Sequence, residues 1–352
     1  MSTTPHVRAE RRGPLGVLVL DRQNALNALT REMVQAMSLQ LAAWKDDPAV
    51  TAVLVRAAPG RAFCAGGDIR AVAETGRDRG AAAATPFFRD EYRLNWRIST
   101  FPKPYVALLD GVTMGGGVGI SVHGRYRVLT EQTLFAMPET GIGFFPDVGG
   151  TWFLPRLPGE IGLYLGLTGA RLRAADCLAA GIGTHLLPAA ALAELEDRLA
   201  GGADVAASLA ALALPAPDAE LPALRPAIDA CFAAPTLADV LDRLAAEDSG
   251  WGKAQLAELA GKSPMALRVT FAQLRRGRML ASLAEALQLE YRMVHRLAAE
   301  ADFIEGVRAL LVDKDRRPRW RHGSPGEVGE SEVEACFAPL PQGDLAFDWQ
   351  DV

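Results

Sequence analysis

Cysteine is scarce in this 352-residue chain, and its four copies, Cys64, Cys177, Cys231 and Cys336, stand too far apart for a CxxC pair or another metal-ligand spacing. A zinc ribbon is excluded, and reduced, buried thiols are expected. Histidine is almost as sparse. His6, His185, His295 and His322 form no group, and His123 reads as a satisfied core histidine, so no metal is assigned. Basic blocks are missing too, and the formal net charge is -5, which argues against a nucleic-acid partner. An anionic small molecule stays open, because a few local cations and helix N-termini set the field where it binds. No apolar run is long enough and free enough of charge to span a bilayer. The stretch Met1 to Leu15 mixes Arg, Glu and Pro and lacks the apolar core of a secretory signal, so a cytoplasmic protein is expected. No repeat of fixed period occurs, the P-loop spacing is absent, and the one Gly-Gly-Gly-Val-Gly run lacks the dinucleotide-binding spacing.

What is present suits a large buried interior. Hydrophobic residues make up 49% of the chain, enough for one large or two ordinary domains to fold without a partner. In the first half, strands are predicted at Gly16 to Leu20, Ala52 to Arg56, Tyr105 to Leu109 and Tyr126 to Thr130, with a helix over Thr30 to Trp44. Thr30 supplies the N-cap, and Met33, Met37 and Leu41 fall on one helical face. This alternation predicts an α/β core with crossovers. After about Pro158 helices dominate. Ala174 to Glu247 is rich in Ala and Leu and is cut into short helices by Pro188, Pro215, Pro217, Pro222 and Pro226. Further helices are predicted from Pro264, after a Ser263 cap, to Arg276, then through Leu283, Ala286, Leu289, Met293 and Leu297, and over Asp302 to Leu311. The division is a core over 1–170, a helical region over 171–322 and a tail over 323–352, rich in Gly, Pro and Glu, that is expected to pack loosely on the surface.

Two glycine-rich loops stand between predicted strands and helices. The first is Pro59-Gly60-Arg61-Ala62-Phe63-Cys64-Ala65-Gly66-Gly67-Asp68-Ile69, and the second Gly111-Val112-Thr113-Met114-Gly115-Gly116-Gly117-Val118-Gly119. Small residues at such junctions admit a ligand close to the backbone, and a helix start leaves N–H groups unpaired. Two such groups aimed at one point hold a developing oxyanion. Either loop alone reads more readily as a tight turn.

Together, in this order, the loops resemble those of the crotonase superfamily, the fold of enoyl-CoA hydratases and isomerases. The resemblance implies a ββα spiral core of the ClpP/crotonase type, with the helical C-terminal region covering the site or building subunit contacts. It puts the oxyanion donors on Gly67 and Gly116, with a helix from about Gly116 adding its positive end. It also puts Ala65, Gly66, Gly67, Asp68 and Ile69 against the CoA moiety. The run Phe135-Ala136-Met137-Pro138-Glu139-Thr140-Gly141-Ile142-Gly143-Phe144-Phe145-Pro146-Asp147-Val148-Gly149-Gly150 narrows the family. With Phe88-Arg89-Asp90-Glu91-Tyr92, Ser121-Val122-His123-Gly124, Phe153-Leu154-Pro155-Arg156-Leu157 and Asp302-Phe303-Ile304-Glu305-Gly306-Val307-Arg308, it closely resembles the 3-hydroxyisobutyryl-CoA hydrolase branch. The likeness runs from about Gly16 to Trp320.

Read alone, Glu139 beside a glycine turn is an N-cap and Glu91 a solvated charge on an amphipathic face. The resemblance instead places Glu139 on the acid that hydratases share, Asp147 on the second acid of the hydrolases, and Glu91 on an acid that contacts the acyl group. A nucleophilic aspartate occupies about the place of Asp147 in the related aryl-CoA dehalogenases. Hydratases carry a second glutamate in the helix after the glycine run, and this chain has Gly119 there. The implied activity is hydrolysis of a short 3-hydroxyacyl-CoA, with 3-hydroxyisobutyryl-CoA from valine breakdown as the leading substrate. Glu139 would be nucleophile or general base, with Asp147 supporting it or exchanging roles with it, their pKa values pushed apart, and both would bind substrate together with Glu91 and Gly116. An enoyl-CoA hydratase or isomerase is the alternative, and a non-catalytic acyl-CoA binding or scaffold protein the second. CoA arrives as part of the substrate, so no cofactor is expected. Arg22, Arg61 and Lys103 are cations available to its phosphates. Trimers and hexamers are common in the superfamily and less uniform in its hydrolase branch, which leaves a homo-oligomer open.

Overall fold

After an opening hairpin, three pairs of strands follow along the chain, a longer then a shorter one, and the two members of each pair enter different sheets. This is seen in a computed structural model that describes residues 4–349. The first three residues of the Met1 to Leu15 stretch and residues 350–352 of the tail lie outside the described residues. β1 (Val7–Arg12) and β2 (Leu15–Leu20) form an antiparallel hairpin. Then β3 (Ala52–Ala57) leads to β4 (Ala62–Cys64), β5 (Tyr105–Leu109) to β6 (Val112–Met114), and β7 (Tyr126–Leu129) to β8 (Leu134–Ala136). β9 (Leu172–Arg173) and β10 (His185–Leu186) complete the set. The larger sheet has the order β1-β2-β3-β5-β7-β10 and the smaller β4-β6-β8-β9. From β2 to β10 the larger sheet is parallel, as are β4, β6 and β8 in the smaller. Each turn of the chain therefore adds one strand to each sheet, which is the spiral.

The long strands form because their side chains are apolar on both faces, as a parallel sheet covered on both sides requires. Leu15, Val17 and Val19 of β2 point into one core with Leu54, Val106 and Leu108, roofed by Leu195, Leu199, Val205 and Leu209. Leu18 and Leu20 point the other way, with Val53, Val55 and Ala107, onto Met33, Met37 and Leu41. Those three residues are the inner face of α1 (Arg31–Lys45), whose N-cap Thr30 accepts a bond from Met33 N, as predicted. α2 (Ile69–Arg79) and α3 (Ala81–Ser99) follow β4, and α4 (Gly116–Gly119) follows β6. α4 is a single turn, so its contribution near Gly116 is its few free amides and not a long macrodipole.

In the C-terminal region the helix Pro264–Gly277 starts on a Ser263 cap, and Leu283–Leu297 and Ala301–Val307 follow it. The last of these runs into a wider turn, Arg308–Val312. The tail departs from expectation. It carries a further helix, Glu330–Phe337, that buries Val333, Cys336 and Phe337, and beyond it Leu340 and Leu345 are buried as well. Phe347 stacks on Trp96 at 5.8 Å between ring centroids, and Trp349 lies 6.0 Å from the same ring. A few apolar and aromatic anchors in a Gly- and Pro-rich segment are enough to dock it. All four cysteines are free and buried. Among the described residues no helix is long and apolar enough to cross a membrane.

Candidate active site

Three short parallel neighbours, β4, β6 and β8, end side by side, and the chain leaving each one carries a residue of the predicted site. After Cys64 come Ala65, Gly66 and Gly67; after Met114 come Gly115 and Gly116; after Ala136 come Pro138 and Glu139. Ligands in α/β folds gather at the carboxyl ends of such strands, where loops and helix starts converge. The sequence predicts both glycine segments as loops throughout, and each instead holds a three-residue strand that aims the glycines at its end. A cavity of about 130 Å³ opens there. Its walls include Ala65, Gly66, Gly67 and Ile69, Gly115 and Gly116, and the three acids Glu91, Glu139 and Asp147. Leu310 and Leu311, from the turn after Ala301–Val307, close one side.

Close backbone approach is what the glycines permit. A Cβ on Gly116 would lie 2.5 Å from Glu91 Oε1 and 3.2 Å from Gly67 N, so the two glycine peptides sit against each other beside Glu91. Among the described residues, neither the Gly67 nor the Gly116 amide donates to another protein group. The far end of α4 packs just as tightly. A Cβ on Gly119 would stand 2.6 Å from Val148 Cβ and 2.8 Å from Asn95 Nδ2. Any side chain there, the hydratase glutamate included, collides with Val148 and Asn95.

The acids sit in a nearly dry pocket. Glu91 is 2% exposed, Glu139 7% and Asp147 6%, and Glu91 Oε1 and Glu139 Oε2 have no protein partner. Tyr92 OH donates to Asp147 Oδ2 at 2.9 Å. Phe144, stacked at 4.4 Å on Phe145 and 5.0 Å from Phe303, forms an aromatic wall that keeps water out. Burial pushes the Glu139 carboxyl well above the usual carboxylate range, and the neighbouring Asp147 and Glu290 charges push the same way. Glu91 is raised well above that range by burial first and then by Asp147, Glu290 and Glu139. Burial lifts Asp147 to about 7 against the lowering effect of the Tyr92 hydroxyl, and Glu290 rises to about 8 through burial and the Asp147 charge. Four carboxyls this close do not all ionise at neutral pH, so protonated and ionised forms coexist, as acid and base work requires.

That crowding fixes the sign of a pH effect on stability. A carboxyl with a raised folded pKa holds its proton more tightly folded than unfolded. Its contribution to stability is complete below the unfolded value, about 4, and is lost as pH rises through the folded one. For Asp147 and Glu290 the loss therefore ends near 7 and 8. The urea midpoint is expected to be lower at about pH 9 than at about pH 5, and the gap to shrink in Glu139→Gln, which removes one of the like charges. An identical gap in both proteins would show that the acids do not share one field.

Other predicted positions have settled partners. The Asp68 carboxylate caps α2 through Ala71 N and pairs with Arg22 at 2.8 Å, and Asp68 does not line the cavity. Lys103 Nζ binds the carbonyls of Trp44 and Asp47 at 2.6 Å and is held at the end of α1. His123 is a core histidine as read, with Nε2 2.7 Å from Val148 O and burial lowering its pKa to about 4. Glu290 was missed. Its one sequence signal is an acid on the apolar stripe Leu283, Leu287, Met293, Val294 and Leu297 of its helix.

Residues 15–337 match the family model described as "Enoyl-CoA hydratase/isomerase". Among curated relatives, the 3-hydroxyisobutyryl-CoA hydrolase, mitochondrial, of Xenopus laevis is 45% identical over 95% of this chain and 89% of its own length. The human protein of the same name is 42% identical over 97% of this chain and 90% of its own. Among solved structures, a carnitinyl-CoA dehydratase from Mycobacterium thermoresistibile superposes with a TM-score of 0.93 at 42% identity, covering 98% of this chain and 99% of that one. An enoyl-CoA hydratase from Rhodobacter sphaeroides gives 0.92 at 44%, covering 97% and 100%. The mitochondrial names of these relatives overturn the cytoplasmic expectation, since a stretch without a secretory core does not choose a compartment. Spiral, paired glycine loops and near full-length identity agree, and the chain belongs to the enoyl-CoA hydratase/isomerase family, with the crotonase fold.

Proposed function

We propose that this protein hydrolyses the thioester of a short 3-hydroxyacyl-CoA, 3-hydroxyisobutyryl-CoA first among them, to the free hydroxy acid and CoA. That reaction is a step of valine degradation. The names of relatives divide, since the curated ones are hydrolases while the two solved structures are titled dehydratase and hydratase. The packing at Gly119 carries the choice. Syn addition of water across a double bond uses two acids, and the place of the second is filled by Val148 and Asn95. Asp147, a short way along the chain from Glu139, lines the same cavity and supplies the second acid of the hydrolase reading.

In this reading the amides of Gly67 and Gly116 hold the thioester oxygen as it gains charge. Glu139 acts at the carbonyl carbon, either as nucleophile, giving a mixed anhydride and CoA thiolate that water then resolves, or as the base that activates water. Asp147, hydrogen-bonded to Tyr92, supports it by holding or delivering a proton. Ala65, Gly66, Gly67 and Ile69 offer backbone and small side chains to the CoA arm, and Glu91 meets the acyl hydroxyl. Label found in Glu139 after a single turnover in ¹⁸O-water would establish the anhydride route, since water that opens the anhydride at the Glu139 carbonyl leaves its oxygen there and direct attack of water on the thioester does not.

Free-thiol release from 3-hydroxyisobutyryl-CoA, with crotonyl-CoA as comparison, tests the assignment. Thiol from the first and none from the second is expected. Loss of the crotonyl absorbance without thiol would make the protein a hydratase. Binding of both without turnover would make it a scaffold.

A further inference from the structure

Glu290 lies outside the set of residues that the family resemblance supplies, yet it is fully buried next to them. It projects from the helix Leu283–Leu297, where its neighbours on the same stripe are leucine, methionine and valine. An ionised carboxylate on such a stripe is costly to desolvate, and an apolar residue of similar size would pack there more easily. Its two oxygens have definite work. Oε2 accepts from Gly149 N at 2.8 Å and Oε1 from Thr151 N at 2.9 Å. These amides begin the turn that leaves Asp147.

The same turn is tied elsewhere along its length. Gln273 Nε2 donates to Pro146 O and to Thr151 Oγ1, both at 2.7 Å. His123 bonds Val148 O, and Val148 is held at φ +50°, in the left-handed region that a β-branched residue rarely adopts. Such a conformation persists only where the surroundings over-determine it, and it recurs at functional sites. Val148 is the residue between Asp147 and the first amide that Glu290 holds.

We propose that Glu290 is a positioning residue, which fixes the Asp147 carboxylate in the cavity by holding the Gly149 and Thr151 amides. The inference rests on the supporting role proposed for Asp147 in the hydrolysis. A carboxyl group meets both amides with an oxygen, one for each N–H. A glutamine offers one oxygen and turns its NH₂ toward the other N–H, so the turn relaxes and Asp147 moves. Gln273 cannot replace Glu290, because it reaches the turn at Pro146 O and at the Thr151 side chain.

The test is a double-mutant cycle on the full chain, reading thiol release from 3-hydroxyisobutyryl-CoA at saturation and the thermal midpoint of each variant. Glu290→Gln is expected to lower kcat roughly tenfold with KM within about twofold, as loss of an orienting partner does elsewhere. Added to Asp147→Asn, it is expected to cost little more, since its effect runs through Asp147. A fall in the midpoint with unchanged kcat, or losses that multiply independently in the double variant, overturns the proposal. Should Glu290→Gln not fold, Glu290→Asp keeps the charge, draws the oxygens back by one methylene, and is expected to show the same kcat-selective loss; wild-type kcat there also overturns it. Full turnover in Asp147→Asn would instead remove the role of Asp147, a failure distinct from a loss in Asp147→Asn that Glu290→Gln does not reproduce.

Discussion

Glu139→Gln is expected to lower thiol release from 3-hydroxyisobutyryl-CoA by roughly a hundredfold or more, with affinity for free CoA unchanged. Attack at a thioester carbonyl needs an electron pair delivered to carbon, by the carboxylate itself or by a water it deprotonates. An amide of the same size does neither. The substitution is close to isosteric, and Glu139 Oε2 has no protein partner to lose. Packing and the backbone bond from Phe144 N to Glu139 O at 3.0 Å are preserved. Removing a buried acid with a raised pKa should leave the fold as stable at neutral pH or slightly more so, which is the usual exchange between stability and function at such sites. Turnover near wild type in Glu139→Gln would transfer the principal role to Asp147, and Asp147→Asn would then be the inactive variant.

The long strands were legible because β2, β3, β5 and β7 are mostly apolar runs of four to six residues, interrupted in β3 by Arg56 and in β7 by Arg127, and the structure places them within one or two residues of their predicted ends. β4, β6 and β8 were not, because three residues are too few to show a period. They are nevertheless what aims the site. β1 was missed for a different reason. Its sequence Val-Arg-Ala-Glu-Arg-Arg reads as solvated, and in the fold it is an edge strand with Val7 as its buried residue, charged along its length as edges often are. Local pattern carries no information about a hairpin partner that supplies the burial.

At the site, the glycine loops and three acids were found through the resemblance, and Glu91, Glu139, Asp147, Gly67 and Gly116 line one cavity. Residues alone would not have found them, since Glu139 reads as a cap and Glu91 as a surface charge. What no likeness or pattern offered was the way the C-terminal helices reach into the core. Glu290 and Gln273 meet the Asp147 turn across more than a hundred residues of sequence. The helical region therefore shapes the site itself and does not only cover it.

That architecture leads to an expected preference of roughly tenfold to a hundredfold in kcat/KM for 3-hydroxyisobutyryl-CoA over isobutyryl-CoA. Glu91 supplies the reason. It stands on α3 with Oε1 unpartnered and 2.5 Å from the Cβ position of Gly116, next to the amide proposed to hold the thioester oxygen. A hydroxyl two carbons beyond that carbonyl is the partner expected for this oxygen, since Glu91 and Gly116 line the same cavity. Glu91 is raised well above the usual carboxylate range by burial, so in its protonated form it both donates to and accepts from the hydroxyl, and in its ionised form it accepts. A methyl group in place of the hydroxymethyl leaves a buried polar group without its partner, at a cost of about 1–3 kcal/mol, which is the preference stated. Glu91→Ala is expected to erase most of it by slowing the hydroxylated substrate more than the plain one. A variant that keeps the full preference would move hydroxyl recognition to Asp147. Equal rates for both substrates in the wild type would leave a pocket that reads size alone, and the proposed activity would widen to short acyl-CoA thioesters in general.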